Sequence, residues 1–525
     1  MASSALIALF SIAVSYLIKA FLLDPLLISP LSRVPGPRSF ALTKWRLALE
    51  DLRSHRTRTI AQLHSKYGPA VRIGPNEISF NSLGALKTIY GPGSHFGRTA
   101  FYRMFDVYGE QNLFTFHSSQ EHGTRKKMLS HAYSKSRILQ DHITGAIEEK
   151  AHQYIKLIDC EANGISDIFL SLHYYSLDNI THFIYGRSGA TCALLGSKED
   201  RALVSDIMHP SRRKLSWCWV HIPAFTRWLY SRTGLMKRAV KNVLPMQVPT
   251  TYTAIRKHAL DAFLTFKSQC HDEVHAEQSV EKDHSILAHL WKYHESECNN
   301  GLNDMQVASE CADHFLAGID TTSDTLMFLI WALSLPENQS FQERLREEVL
   351  LIPNTSLNEH GIPRSAAADQ CAYLQAVIKE TLRLYAPLPS TEPRSANITT
   401  AIEGYTIPAN TVVGMSPWIL HRSTASFDDP GTFDPERWLG ASAVELNRWF
   451  WAFSSGGRMC IGMHLAMAEM TTLVAAIYRK YQTSIGEGFE DTTPAITARV
   501  EIFCEERFRA VRENTCLVKF KPIET

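Results

Sequence analysis

The sequence predicts a mainly α-helical protein with small β-sheets, preceded by an N-terminal transmembrane helix. Three observations carry this. Helical spacing dominates the long middle of the chain, while strand signals are short and scattered. The first two dozen residues are almost wholly apolar. Near the other end, Phe453 to Gly462 sets one cysteine, Cys460, among small residues, directly before an apolar, helix-prone run from Met463 to Tyr478.

Composition narrows the class. Apolar residues make up 45% and charged residues 20% of the 525, which describes a globular chain. A net charge of +1 leaves no electrostatic footprint for nucleic acid. The ten cysteines are scattered without a Cys-x-x-Cys pair, so neither a disulfide framework nor a zinc site is indicated.

In chain order, residues 1–24 read as a membrane anchor. Ala5 to Ile18 is apolar, Phe21 to Leu23 extends it, and Lys19 near its end can snorkel. The start is uncharged and Lys19, Arg33 and Arg38 all follow the apolar core, which favours a retained anchor over a cleaved signal and leaves the rest cytosolic. Residues 25–38, with Pro35-Gly-Pro37, read as a stiff hinge, and 39–525 as one globular domain. Leu47 to Tyr67 has helical spacing, and Ala70–Gly74 with Glu77–Phe80 reads as a β-hairpin around Pro75-Asn76. His122 and Lys126 share one face of a further helix. Arg212 to Lys241 mixes basic and aromatic residues (Trp217, Trp219, Trp228, Lys237 among them) as interfacial segments do; a surface helix pair with buried tryptophans fits equally well. The sequons at Asn179, Asn338, Asn354 and Asn397 are unused if the domain is cytosolic.

Asn303 and Asp304 cap a helix expected to run to Leu335, where Pro336 stops it. In the middle of this apolar helix stands Ala317-Gly-Ile-Asp320-Thr321-Thr322. A glycine, an acid and two hydroxyls are costly there, and such breaks of local rule are expected at functional sites. Gly318 is expected to let the helix approach a flat cofactor. Thr321 can bond back to the carbonyl four residues earlier, and Asp320 with Thr321 can pass protons. Tyr373 to Leu384 reads as another helix, carrying Glu380 and Arg383 on one face. Pro387 to Arg394 and Asp434-Pro-Glu-Arg437-Trp438 follow. Short strands are expected at 404–408, 412–416 and 516–520.

In the cysteine stretch, Gly456, Gly457 and Gly462 permit tight turns, and the helix start behind Cys460 offers free N–H groups that favour an anion. A thiolate there is a metal ligand, and Arg458 can pair with an acidic group of the same cofactor.

The string Phe453-x-x-Gly-x-Arg458-x-Cys460-x-Gly462 resembles the haem-binding loop of the cytochrome P450 family. The 317–322 motif, Glu380-x-x-Arg383 and the Arg437 motif follow that family's order, so the resemblance runs from anchor to C-terminus. It implies the cytochrome P450 fold and a haem-thiolate monooxygenase that uses haem b, O2 and NADPH-derived electrons. Cys460 is the implied axial iron ligand. Implied haem contacts are Phe453, Arg458, Arg394, His122, Lys126 and Gly318; Lys126 stands where arginine is usual. Asp320 and Thr321 are the implied catalytic pair, and Glu380, Arg383 and Arg437 brace the loop. Implied partners are an NADPH-cytochrome P450 reductase, cytochrome b5, membrane lipid and a hydrophobic small-molecule substrate, with the anchor single-pass in the endoplasmic reticulum membrane. By position, Phe315, Leu316, Ala317, Leu388, Ser390, Thr391 and the loop from Phe101 to Phe116 are expected around the substrate. The look is that of fungal secondary metabolism. Two rivals are a haem-thiolate isomerase or lyase working without O2, against which Asp320-Thr321 counts, and a non-catalytic membrane haem protein.

Overall fold

A computed structural model of the chain describes residues 2–208, 212–230, 235, 238–239, 253–271, 284–294, 301–498 and 501–523. Helix α1, Ala2–Ile18, runs on into a wider π-type coil, Lys19–Ile28, which accommodates Pro25. Leu6–Ile28 is a 23-residue apolar helix, unburied and long enough to cross a bilayer. It extends past the boundary expected at residue 24. The hinge that follows is fastened to the globule. Leu31 and Val34 are buried, and the Pro35 carbonyl accepts the Arg72 amide at 2.7 Å. The buried Arg72 guanidinium donates to the carbonyls of Pro25 at 2.5 Å, Pro75 at 2.6 Å and Gly74 at 3.2 Å.

The helical stretch expected from Leu47 to Tyr67 is two helices, α2 (Trp45–Leu52) and α3 (Arg56–Tyr67). Ser54, with φ of 61°, turns the chain between them. Strands β1 (Ala70–Gly74) and β2 (Glu77–Phe80) form the expected antiparallel hairpin. The two-residue strand β3, Gly97–Arg98, joins the same sheet from further along. Next come α4 (Ser119–Ser130) and α5 (Ile168–Tyr185). The basic–aromatic region forms α6 (Arg212–His221) and α7 (Pro223–Tyr230); Lys237 and Lys241 lie outside the described residues. Helix α6 is bound to α2. The Trp217 indole N–H donates to the Ala48 carbonyl at 2.9 Å, and His221 meets Asp51 at 2.6 Å. Phe225 and Trp228 stay exposed. Helix α8 is Thr253–His271.

The expected long helix is α9, Asp304–Ser334. Asn303 accepts the Gln306 amide while Gln306 bonds back to Asn303, a capping box. Helix α10 is Ala372–Leu384. Strands β4 (Glu392–Ser395) and β5 (Val412–Met415) complete the five-stranded sheet in the order β1-β2-β5-β4-β3. Helix α11, Met463–Lys480, starts behind the cysteine loop, and short strands at Tyr405–Ile407 and Leu517–Pro522 stand near their expected places.

Helix α9 runs through the core, with every residue from Thr322 to Ser334 buried. One sequence expectation on it needs correction, that of Phe315, and Gly318 has a further packing role. The open side of Gly318 faces α5, where an added Cβ would collide with the Ile180 side chain. Its lack of a Cβ therefore serves the close packing of α9 on α5. Phe315 is fully buried, with its ring packed edge-on against Tyr185 at 5.8 Å, so it is core and not chamber wall. An apolar helix face looks the same in sequence whether it meets protein or an open recess.

The α5–α9 contact predicts that Gly318→Ala is destabilising by about 1–3 kcal/mol, the usual cost of overpacking. Ile180→Val in the same chain should restore part of the loss. Denaturant midpoints of the two single variants and the double variant test this, and simple additivity would refute the contact.

Candidate active site

The cysteine loop is held by a chain of buried polar contacts that begins on α10. Glu380 is fully buried and receives donors from four residues. Arg383 donates through Nε at 2.8 Å and Nη2 at 2.7 Å. The Arg437 Nε donates at 3.1 Å, the Trp438 indole at 2.9 Å and the Asp434 amide at 2.9 Å. The structure thus brings Glu380, Arg383 and Arg437 together. The Arg383 Nη1 goes on to the His421 carbonyl at 3.0 Å, and the His421 Nε2 accepts the Trp451 amide at 2.8 Å. Two residues later the loop begins at Phe453, whose carbonyl accepts the Cys460 amide at 2.9 Å.

The other side of the loop rests on strand β4 and on the end of the Leu83–Tyr90 helix. Ser454 donates to Glu392 at 3.1 Å and Ser455 to the Tyr90 carbonyl at 3.1 Å. Gly456 has φ of +64°, and a Cβ there would strike the Tyr90 carbonyl and Gly91. Only glycine fits. Lys126, on α4, donates to the carbonyls of Gly457 at 2.9 Å and Met459 at 3.0 Å. Two of its three N–H donors are therefore spent on the loop itself, and one remains.

Cys460 is accessible, yet protein surrounds it closely enough for burial to push its thiol up; exposure and dense surroundings together describe a residue lining a recess. The Gly462 and Met463 amides and the Lys126 charge pull the other way. Without a metal cation, burial wins, and a coordinating metal ion tips the group to thiolate.

Around the recess stands an excess of positive charge. In the β3–β4 register Arg98 lies directly opposite Arg394, a like-charged pair that destabilises a sheet unless an anion intervenes. Both are buried. Arg394 Nε and Nη1 and Arg98 Nε have no acceptor among the described residues, although Glu392 lies 3.5 Å from another Arg394 nitrogen. Arg458 is in the same field. Its Nη atoms donate to the carbonyls of Phe116 at 2.8 Å and His117 at 2.9 Å. Burial, then Arg98 and Arg394, lower it to about 9. Burial and the neighbouring Arg458, Arg98, Lys126 and Arg394 push His122 down to about 2. A flat group bearing carboxylates would satisfy these orphaned donors, so the residues fit haem.

Across the recess runs one stripe of α9. Asp313, Leu316, Ala317, Asp320 and Thr321 are accessible on a helix whose neighbouring residues are largely buried. Arg98 lies within the field of Asp313 and ties the stripe to the cationic cluster. The Thr321 hydroxyl donates to the Ala317 carbonyl at 2.8 Å, as its place in the sequence suggests. The expected chamber residues Ser390 and Thr391 carry hydroxyls with no partner among the described residues, while Leu388 is exposed.

Sequence reading missed two groups. Arg98 carries no motif and gains its place only through a two-residue strand. Glu469, on α11, is buried, bonded to the Thr322 hydroxyl and pushed by burial up to about 8. Its spacing nine residues after Cys460, on the helix face turned inward, is the one signal that could have found it.

Comparison with known proteins agrees with this geometry. The profile of the family described as cytochrome P450 matches residues 35–499. A cytochrome P450 monooxygenase of Emericella nidulans is 28% identical over 86% of this chain and 82% of its own length. One of Aspergillus parasiticus is 28% identical over 89% and 87%, and a pisatin demethylase of Fusarium vanettenii is 26% identical over 88% and 86%.

Glu469 gives the site a pH signature. The unfolded chain ionises this carboxyl near 4.5, whereas the folded chain keeps its proton to about 8, so its contribution to stability is lost as pH rises between those values. Glu469→Gln mimics the protonated form. Its stability relative to the parent should grow between pH 5 and pH 8, by at most about 1.4 kcal/mol per unit. A difference that stays constant in melts across that range would refute a buried protonated Glu469.

Proposed function

The chain belongs to the cytochrome P450 family and is an oxidoreductase of the monooxygenase type; from that premise we propose that it inserts one atom of O2 into a C–H bond or double bond of a hydrophobic small molecule in fungal secondary metabolism. Electrons come from NADPH through a separate NADPH-cytochrome P450 reductase, with cytochrome b5 as a second donor, because the sequence carries no Gly-x-Gly-x-x-Gly dinucleotide loop. The observation that carries the reading is the accessible Cys460 in a cationic surround where Arg98 and Arg394 keep N–H groups without an acceptor among the described residues.

Haem b, when bound, supplies the oxygen activation and insertion. The protein's residues set its position and protons. Cys460 Sγ would hold the iron, with the Gly462 and Met463 amides favouring its thiolate. Arg394, Arg98, His122 and Arg458 would hold the carboxylates, while Lys126 fixes the loop that carries Cys460. Because the Thr321 hydroxyl proton is given to Ala317, the oxygen lone pairs of Thr321 remain to accept a hydrogen bond from the recess. Asp320, one residue earlier, resupplies the proton. Leu316 and Ala317 offer the substrate an apolar wall. The Leu6–Ile28 helix anchors the enzyme in the endoplasmic reticulum membrane with its catalytic domain in the cytosol, and the exposed Phe225 and Trp228 suit a membrane-facing surface.

Cys460→Ser should abolish the thiolate-type band in the reduced carbon-monoxide difference spectrum; a retained band would overturn the assignment of the ligand. Thr321→Ala should consume NADPH without matching product, and coupling equal to the parent's would remove Thr321 from proton delivery. Co-expression with a fungal reductase, with polyketides, terpenoids and alkaloids screened by mass spectrometry for a gain of one oxygen, tests the activity itself.

A further inference from the structure

A second cavity, of about 410 Å³, opens among the Asp141–Asp159 helix, the C-terminal parts of α5 and α8, and the first turns of α11. It shares no lining residue with the cationic cluster, the cysteine loop or the accessible stripe of α9. Ile143, Ile147, Phe183, Phe266 and Leu465 make much of its wall apolar. In volume and character it resembles a small-molecule pocket.

Two buried side chains in that wall have hydrogen-bonding capacity to spare. Glu469 lines the cavity, and its Oε1 has no partner among the described residues. The Thr322 hydroxyl bonds to this carboxyl in the sense that favours its charged form, so the hydroxyl is the donor. Burial prevails and keeps the acid protonated to about 8. The oxygen that accepts from Thr322 is then the carbonyl one, and Oε1 carries the acid proton with nothing to receive it. Asn179, on α5, is tied to the same corner through Tyr175. The Tyr175 hydroxyl donates to the Glu469 main-chain carbonyl at 3.0 Å, and the Tyr175 carbonyl accepts the Asn179 side-chain amide at 3.0 Å. One hydrogen of that amide is left over. At the mouth the rings of His142 and His284 stand 4.2 Å apart. Desolvation and then His284 hold His142 below its ordinary value, so it is uncharged at neutral pH. Arg187 is exposed and keeps its charge in water. Buried donors without an acceptor are costly inside an apolar cavity.

We propose that this cavity is a second ligand site, and that it takes an uncharged, flat, apolar molecule whose carbonyl oxygen accepts hydrogen bonds from Glu469 and Asn179. The apolar wall supplies contact area, and the two donors fix the orientation of the ligand. An anion gains nothing at the buried end, where no cation lines the wall, and an ammonium group finds a carboxyl that holds its own proton.

Equilibrium dialysis of the full-length holoprotein against fluorene, 9-fluorenone and 9-fluorenol tests this, with 4-phenylimidazole saturating the haem iron so that the recess is closed to the probes. Fluorenone should bind about tenfold more tightly than fluorene, as expected for a hydrogen bond made in a closed site. Glu469→Leu should remove most of that preference and leave fluorene binding unchanged. Glu469→Gln should keep much of it, because an amide N–H stands in for the acid O–H. Ala146, part of the cavity wall and partly accessible, is the second handle. Ala146→Phe should fill the space and abolish binding of all three probes while the azole still binds, and it decides the matter if the leucine variant does not fold. Equal binding of fluorene and fluorenone by the parent overturns the proposal, as does fluorenone binding undiminished in Ala146→Phe. A preference for 9-fluorenol, the one probe able to donate, overturns the assignment of the ligand as acceptor.

Discussion

The site depends on one carboxylate that never meets water. Glu380 is fully enclosed, and a buried charge in that position is tolerable only because every lone pair has a donor. Its donors come from α10 itself and from the Asp434–Trp438 turn, so one group fixes two segments more than fifty residues apart in the chain. Arg383 then passes the constraint to His421, and His421 to Trp451 at the entrance of the cysteine loop. Hydrophobic packing of similar volume could be as stable, but it would not specify where Phe453 and Cys460 must stand. Here the network serves placement more than stability.

A second imbalance lies on the other side of the loop. Arg98 and Arg394 face each other across a strand pair, with Arg458 nearby and unused N–H groups left over. Such an arrangement is strained by itself and relieved by an anionic ligand. Binding and folding are therefore linked, because a ligand that pairs with these cations stabilises the folded chain by mass action. The neutral state of His122 is part of the same balance, since burial among cations leaves no room for another positive charge.

How much of this was legible in sequence depended on distance along the chain. The capping box at Asn303, the back-bond of Thr321, the face shared by Glu380 and Arg383, and the glycine turn before Cys460 are local, and each followed from residue types at fixed spacing. Arg98 was silent because its role comes from a strand register with residues almost three hundred positions away. Glu469 meets Thr322 only when α11 packs beside α9. Phe315 was misread, and the contact of Gly318 with Ile180 was missed, for a related reason: periodicity shows which residues share a face, but not whether that face meets Ile180, Tyr185 or open space. Lys126 was expected to contact the cofactor; the carbonyls of Gly457 and Met459 that hold it could be seen only after folding.

The carbonyl cage around Arg72 bears on how the protein can be shortened. Among the described residues this guanidinium pairs with no acid and is solvated by the carbonyls of Pro25, Gly74 and Pro75. Deleting the apolar segment through Pro25 takes away one of its three solvating carbonyls, and cutting past Pro35 also strips the Arg72 amide and uncovers the apolar surface under Leu31 and Val34. The sound point for trimming thus lies upstream of Pro25, inside what the sequence alone marks as lipid-facing. The connector belongs to the folded body, and a soluble form has to keep it.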